Sequence, residues 1–410
     1  MNSQIGEKPN LRLLILIGAL YFTQGIPLGL AFEAFPILWR DAGFGLELLA
    51  FVPLAGLPWA FKFLWAPFVE NHRLKNVGRR KSWILPMQFL SVCTLLYITT
   101  IPVLPENVVL LILVLAGTSF FSGTQDIAVD GLAAERVPTS AFASVNALQI
   151  GGIMGGMLFG GAGSLYLTGL FGYDMAIISI AVLIAVCSLP VLFWQETDIE
   201  SQKTVVKASI LRFIKRPGSL PILVLAFSMA MCGAAMFTLT KLLLIDANWP
   251  VEDVGMLSGM GNSVMVLVGC VLSVGLIKRV GENAAMILGL VITLVAGVFW
   301  TQIALGMLSF NSSALIWTVT CVGGVGIGIT SVGIYTALMD FAAIENQPGT
   351  DFTVLQSAQT FGDLVIASLI TGVAANLGYV IGFSVALVAG VAAILFLLMF
   401  GRTARKTVTV

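Results

Sequence analysis

The chain has 410 residues, of which 58% are hydrophobic and only 10% are charged; 21 basic and 21 acidic residues leave no formal net charge. An ordinary soluble domain carries about 25% charged residues, so most of this chain cannot face water. The balanced charge excludes a nucleic-acid-binding protein, which needs a basic excess. The composition therefore predicts an integral membrane protein.

Composition also argues against catalysis. The chain has one histidine, His72, and five cysteines that lie singly in apolar runs without the C-x-x-C spacing of a metal site. No G-x-x-x-x-G-K-[ST] motif is present, which excludes ATP-driven transport within this chain. We expect no enzymatic activity, no metal and no cofactor.

Twelve apolar runs approach the roughly 20 residues that one membrane crossing requires. In chain order they are 11–38, 46–68, 83–103, 108–134, 140–168, 174–194, 220–246, 254–276, 284–306, 313–340, 352–377 and 380–400. The last two are divided by a tight turn at Gly378. The polar stretch Met1–Asn10 and the length of the first run do not fit a cleavable signal peptide. The sequence thus predicts an all-α membrane protein with twelve transmembrane helices.

The basic residues indicate the orientation of these helices. With the N-terminus inside, every lysine and arginine except Arg40, Lys62 and Lys241 falls in a cytoplasmic segment. Cytoplasmic loops are rich in lysine and arginine. We expect both termini in the cytoplasm.

The chain also divides into two similar halves. The longest polar connection predicts an N-terminal half (1–196), a cytoplasmic linker (197–218) and a C-terminal half (219–410). The segment DGLAAERVPTSAFASVNALQ (130–149) aligns without gaps with DFAAIENQPGTDFTVLQSAQ (340–359). Two parallel six-helix repeats are typical of the major facilitator superfamily, whose substrate site lies between the halves near mid-membrane.

One loop resembles the signature loop of that superfamily. In KFLWAPFVENHRLKNVGRRKSW (62–83) an acid ends the second helix, here Glu70 where the family usually has aspartate, and a Gly-Arg-Arg-Lys cluster opens the third. The resemblance and the repeat together imply a cytoplasmic gate. Its candidate residues are Glu70, Arg79, Arg80, Lys81, Glu135, Arg136, Asp340 and Glu345.

A closer resemblance is to the AmpG-type permeases. The segments YFTQGIPLGL (21–30), KFLWAP (62–67) and TQDIAVD (124–130) are similar to that group, which imports muropeptides across the bacterial inner membrane with the proton gradient. The segment GTDFTVLQS (349–357) is similar to the RhtX/FptX-type branch, which imports siderophores. The resemblance therefore implies a ferric siderophore as the main cargo and a muropeptide as the alternative.

Charged residues within spans are the candidates for proton coupling because their burial is costly. Asp126 and Asp130 lie one turn apart near the cytoplasmic end of their helix, and Asp363 lies near the middle of another. Lys62 lies at a similar depth to Asp126, so a static ion pair and a proton-coupling role stay open for Asp126. Asp130 is expected nearer the cytoplasmic gate, with Arg136 and the 79–81 cluster.

Two further sets complete the candidate site. Glu33 and Lys241 occupy equivalent depths in the first and seventh helices, where they form a periplasmic gate or contact substrate. Polar residues within other spans are candidates for the substrate cavity: Gln24, Lys62, Gln149, Asn262, Tyr335 and Gln359.

The sequence predicts a proton-driven importer that works by alternating access in the bacterial inner membrane. Its expected partners are a small-molecule substrate, protons and membrane lipid, with no nucleic acid, and a monomer is expected. Two alternatives remain: an exporter of the same fold, and a non-transporting sensor or scaffold built on it.

Overall fold

The computed structural model describes residues 10–45, 48, 51–74, 77–196, 207–309 and 312–408. Residues 197–206 of the predicted linker and most of the polar stretch Met1–Asn10 therefore lie outside the described residues. Within them the chain is almost entirely helical, and eleven helices are long and apolar enough to cross a membrane. These are Leu11–Asp41 (α1), Lys81–Ile98 (α4), Pro105–Arg136 (α5), Thr139–Phe171 (α6), Tyr173–Phe193 (α7), Ser219–Asp246 (α9), Ser263–Val280 (α11), Glu282–Ala304 (α12), Ser313–Ala342 (α13), Pro348–Leu377 (α14) and Tyr379–Val408 (α15). The predicted all-α membrane architecture is confirmed.

The second predicted span, 46–68, is broken into short pieces. A 3-10 turn at Val52–Gly56 precedes α2 (Leu57–Phe61), and a second 3-10 turn at Lys62–Leu64 precedes α3 (Ala66–Asn71). Each α-helical piece carries a proline in its first turn, and proline starts a helix more easily than it continues one. The break places Lys62 on a 3-10 turn between two helices.

Three further short elements lie between these helices in the described part of the chain. They are α8 (Ile210–Lys215), α10 (Val251–Met256) and a π-helical segment, Leu257–Asn262, that joins α10 to α11. Gly378 adopts a φ of 87° between α14 and α15, a conformation that glycine accepts without strain. The predicted division at this glycine is confirmed.

The described residues form two compact units. The first comprises Met1–Ile210 and Asp340–Ser357, and the second comprises Leu211–Met339 and Ala358–Val410. The segment 340–357 holds the end of α13 and the start of α14, so these helix ends are part of the first unit. The division into six-helix halves at residues 196 and 219 stays a prediction.

In the first unit, α1 and α6 pack backbone against backbone through glycines. A β-carbon added to Gly156 would lie 2.1 Å from the carbonyl oxygen of Phe22, and one added to Gly160 would lie 2.1 Å from that of Ile26. Small residues allow such close approach of membrane helices. This contact holds the polar part of α1 beside α6.

Gly156→Ala is expected to lower the free energy of unfolding by about 1–3 kcal/mol, because the added methyl group has no space. Gly169 lies on the same helix with no atom within 4 Å of an added β-carbon, so Gly169→Ala is the matched control. Thermal unfolding in detergent micelles measures both. Equal midpoints for the two variants would contradict the close packing of α1 on α6.

Candidate functional site

A buried ion pair joins Lys62 to Asp126. The Lys62 ammonium group contacts Asp126 Oδ2 and donates to Gln356 Oε1 at 2.7 Å, and it lies 4.9 Å from the centre of the Trp59 ring. Only 3% of Lys62 and none of Asp126 is exposed. The predicted pairing is therefore present, and α14 adds a third member, Gln356, that sequence reasoning did not name.

Asp130 lies one turn further along α5 and faces α1 and α6. The Tyr21 hydroxyl donates to Asp130 Oδ1 at 2.7 Å and Gln149 Nε2 donates to the same oxygen at 2.9 Å. The expectation that Asp130 joins Arg136 and the 79–81 cluster is not met by its hydrogen bonds. Five residues of α-helix separate Asp130 from Glu135, a rotation of about 140°, so the two acids face different sides of α5.

The two aspartates each keep one carboxyl oxygen without a donor. Neither Asp126 Oδ1 nor Asp130 Oδ2 accepts a hydrogen bond from any group within the described part of the chain, although both residues are fully buried. The two carboxyl groups are one helical turn apart, close enough for the charge of each to act on the other. A buried polar atom without a partner costs about 1–3 kcal/mol. One proton held by this pair would supply the donor that both oxygens lack.

Gln24 adds a third unpaired group to this interior. Neither the oxygen nor the nitrogen of its side-chain amide has a hydrogen-bond partner among the described residues, and only 1% of the residue is exposed. On the facing helix, Ser122 donates to the Gln24 backbone carbonyl at 3.2 Å. Of the predicted cavity residues, Gln149 therefore binds Asp130, and Gln24 is buried where α1 faces α5.

A second cluster joins the start of α4 to the ends of α3 and α5. Arg80, whose side chain is 1% exposed, donates to Glu70 at 3.0 and 3.1 Å and to Glu135 at 2.6 and 3.1 Å. Arg79 donates to the same acids at 2.7 and 2.8 Å. Burial disfavours the Arg80 charge, but Glu135 and Glu70 raise its pKa above the ordinary value. Arg80 therefore stays charged, and glutamate replaces the usual aspartate at position 70 without loss of the pairing.

The start of α14 closes over this cluster. A β-carbon added to Gly349 would lie 2.4 Å from Glu70 Oε2 and 3.1 Å from Arg80 Nη1. Just before it, Gln347 accepts from the Ser209 backbone N–H at 2.9 Å and donates to Asp351 Oδ1 at 2.5 Å. The described end of the predicted linker is thus fixed to the first unit.

Lys81, a predicted gate residue, does not bind the gate acids and instead contacts the end of α7. Its ammonium group donates to the backbone carbonyls of Leu192 and Trp194, both at 2.8 Å, at the end of α7. Glu196 accepts from the backbone N–H groups of Arg80 and Lys81 at 2.9–3.0 Å and so caps the start of α4. Lys81 and Glu196 therefore join α4 to α7 and stand apart from the acids that Arg79 and Arg80 bind. Sequence analysis missed Glu196, an acid that directly follows an apolar span.

The remaining gate candidates are half-buried near these helix ends. Arg136 is the last residue of α5, Asp340 lies in the last turn of α13, and Glu345 lies between α13 and α14. Their roles in the gate stay predictions.

In the second unit, Asp363 is half-buried on α14, and its carboxyl group makes no hydrogen bond or ion pair with any described residue. Tyr335 and Gln359 are also half-buried, and Gln359 Oε1 has no donor among the described residues. Lys241 lies over the Phe237 ring at 3.8 Å. The coupling role of Asp363 stays a prediction.

Glu33 lies in the first unit, on a π-helical segment of α1 (Leu30–Ala34). Its carboxylate approaches α6 so closely that a β-carbon on Gly161 would lie 2.1 Å from Glu33 Oε2. The periplasmic gate of Glu33 and Lys241 stays a prediction. No group of three or more histidine, cysteine, aspartate or glutamate side chains within the described ranges is arranged to hold a metal ion.

Solved structures with a similar fold are membrane transporters. A bacterial homologue of the iron transporter ferroportin, in an outward-facing state, matches with a TM-score of 0.71 and 18% identity over 96% of this chain and all of that one. The major facilitator transporter FucP, in an outward conformation, matches with a TM-score of 0.70 and 12% identity over 93% and 97% of the two chains. At these identities the likeness establishes the fold and says nothing of cargo. The chain has the major facilitator fold.

Sequence relatives are more specific. Residues 12–162 match the family model described as acetyl-coenzyme A transporter 1. Putative transporter AmpG 3 of Rickettsia prowazekii is 24% identical over 87% of this chain and 88% of its own length. The anhydromuropeptide permease of Escherichia coli is 25% identical over 89% and 75%. This chain is thus a multi-pass membrane protein of the major facilitator fold that is similar over most of its length to AmpG-type transporters.

Proposed function

We propose that this protein imports a muropeptide-type solute together with protons across the bacterial inner membrane. The observation that carries the coupling is the buried acid pair of α5, in which Asp126 and Asp130 each keep one oxygen without a donor. Two adjacent carboxyl groups that are both fully buried favour binding of a proton, because two like charges repel strongly there.

Lys62 connects the state of this pair to α14. While Asp126 is ionised, it holds the Lys62 ammonium group, which also donates to Gln356 at 2.7 Å. Protonation of Asp126 removes the charge that balances Lys62, and an unbalanced buried cation is costly. A proton on Asp126 would therefore favour a conformation in which Lys62 leaves this position and its bond to Gln356 breaks.

The Glu70–Arg80–Glu135 cluster supplies the second element of the cycle. Gly349 on α14 is packed against Glu70 and Arg80, so movement of α14 away from α3 would expose a buried, fully paired arginine. We propose that this cluster holds the predicted cytoplasmic end closed and that it separates when solute is released.

The cargo proposal depends on the sequence relatives. The siderophore hypothesis rests mainly on the segment 349–357, and no relative named above carries that activity in its name. The Escherichia coli relative, which matches over 89% of this chain, is an anhydromuropeptide permease. A muropeptide is therefore the first cargo to test.

Uptake by proteoliposomes tests the cargo. With an inward proton gradient, we expect accumulation of an anhydromuropeptide at a rate at least about tenfold above that of a ferric siderophore or acetyl-coenzyme A. Empty liposomes and a collapsed gradient are the controls. Faster accumulation of the ferric siderophore than of the anhydromuropeptide would overturn the proposed cargo. Solute uptake at the same rate with and without the proton gradient would overturn the proposed proton coupling. If no solute moves under any gradient while the protein binds one of them, the sensor or scaffold alternative holds.

A further inference from the structure

The described end of the predicted linker is bound on two sides by side-chain amides. Asn71, the last residue of α3, donates to the Ala208 backbone carbonyl at 2.9 Å and accepts from the Ala208 backbone N–H at 2.7 Å. Gln347, which directly precedes α14, accepts from the Ser209 backbone N–H at 2.9 Å and donates to the Ser209 carbonyl at 3.3 Å. Two consecutive linker residues therefore have both backbone polar groups bound, each residue by a different amide.

This pattern indicates an extended backbone at residues 208–209. In an extended segment the N–H and C=O groups of one residue point to the same edge, and those of the next residue point to the opposite edge. Asn71 then occupies one edge of the segment and Gln347 occupies the other, as two neighbouring strands would. The segment thus joins the end of α3 to the start of α14, and all the residues involved belong to the first unit.

The two amides differ in how they are held. Gln347 is only 1% exposed, and its amide nitrogen also donates to Asp351, a fully buried residue of α14. That second bond keeps the amide oxygen directed at the Ser209 N–H. Asn71 is exposed, so water can replace its bonds to Ala208 at little cost. The pair at Asn71 is therefore the one that separates more easily.

These bonds lie next to the Glu70–Arg80–Glu135 cluster. Asn71 directly follows Glu70 in the chain. Gln347 lies two residues before Gly349, where an added β-carbon would lie 2.4 Å from Glu70 Oε2. Separation of α14 from α3 at this point would open the charge cluster and one of the two amide pairs together.

We propose that the segment 208–209 is a latch that holds the end of α3 and the start of α14 together. When these helix ends separate, the segment leaves Asn71 and stays bound to Gln347, so it moves with α14. Because the latch is bound through its backbone, it requires no particular side chain at positions 208 and 209. The proposal rests on the proposed gate for its place in the transport cycle, and it does not depend on the cargo or on proton coupling.

Hydrogen–deuterium exchange tests the latch without solute or a gradient. Mass spectrometry with electron-transfer fragmentation resolves the Ala208 and Ser209 amides of the protein in detergent. We expect both amides to be protected. The protection factor of Ser209 is expected to fall at least about fivefold in Gln347→Ala, and that of Ala208 at least about fivefold in Asn71→Ala. Ser209→Ala is the matched control, because it keeps both backbone groups, and its protection is expected to equal that of the wild type.

A thiol at a buried position of α14 reports whether the latch holds the helix ends together. Thr350 is fully buried and follows Gly349. In Thr350→Cys, the rate of labelling by a water-soluble maleimide, mapped to position 350 by mass spectrometry, measures separation of α14 from α3. Adding Gln347→Ala or Asn71→Ala is expected to raise this rate at least about fivefold, whereas adding Ser209→Ala leaves it unchanged. Unchanged exchange of the amides of α12 confirms that each variant is folded.

Three outcomes separate the latch from the proposed function. Unchanged protection of both amides in Gln347→Ala and Asn71→Ala would overturn the latch and leave the proposed function standing. Lower protection without faster labelling at position 350 would also overturn it, because the segment would then be bound without holding the helix ends together. Lower protection with faster labelling supports the latch, and it does so even if proteoliposomes show no coupled uptake.

Discussion

Asp126→Asn is expected to abolish proton-driven accumulation of solute, with a loss of at least about a hundredfold in the initial rate of uptake under an inward proton gradient. Asparagine keeps the size of the side chain, but its amide does not bind or release a proton at physiological pH. It also leaves the buried Lys62 without its counter-charge. The measurement is uptake into proteoliposomes, paired with solute exchange in the absence of a gradient.

The double variant Lys62→Met with Asp126→Asn controls for folding. It removes both members of the buried pair, and replacing a whole buried ion pair is often neutral for stability, whereas removing one partner is not. We expect the double variant to fold and remain uncoupled. Wild-type accumulation in either the single or the double variant would contradict a coupling role for Asp126.

Arg80→Ala is expected to lower the free energy of unfolding by about 3–5 kcal/mol, because it removes the buried cation that Glu70 and Glu135 share and leaves them only the more exposed Arg79. Arg79 binds the same two acids, but its side chain is 30% exposed, so Arg79→Ala should cost about 1 kcal/mol or less. Thermal unfolding in detergent micelles compares the two.

The same two variants compare how much Arg79 and Arg80 each contribute to the free energy of unfolding. A destabilisation by Arg79→Ala as large as that by Arg80→Ala would show that burial does not decide the contribution of each arginine. An Arg80→Lys variant separates the charge of Arg80 from its hydrogen-bond geometry, because lysine keeps the charge but cannot donate to two carboxylates in the same geometry.

The sequence alone predicts those parts of the site that depend on depth in the membrane. Lys62 and Asp126 were paired because both lie at a similar distance from one end of their spans, and the structure contains that pair. Glu70, Arg79 and Arg80 follow from the signature loop, and the acid and the arginines are indeed bonded.

Contacts that depend on the direction a side chain faces were not predictable. The sequence predicts that Asp130 joins the arginine cluster, because Asp130 lies near the cytoplasmic end of α5. In the structure Asp130 instead accepts hydrogen bonds from Tyr21 and Gln149. Every residue of α5 from Ser122 to Ala134 is buried, so no exposed polar stripe indicates which side of the helix faces which neighbour. The same limit applies to Gln356, whose partner Lys62 lies 294 positions away along the chain.

Local backbone chemistry explains a further difference. The run 46–68 is apolar enough for one span, but prolines at the start of α2 and of α3 interrupt its hydrogen-bond pattern. The hydropathy of a run does not detect this interruption, because it measures only how apolar the residues are. Lys81 and Glu196 differ from expectation for another reason, since both satisfy the unpaired backbone groups at helix ends.

Solute-driven proton movement tests coupling by the acid pair most directly. Anhydromuropeptide is added to proteoliposomes without an imposed gradient, and the external pH is recorded. The account predicts that wild-type protein makes the external medium more alkaline as protons enter with solute, and that Asp126→Asn gives no pH change. Proton entry by Asp126→Asn at the wild-type ratio to solute would contradict it.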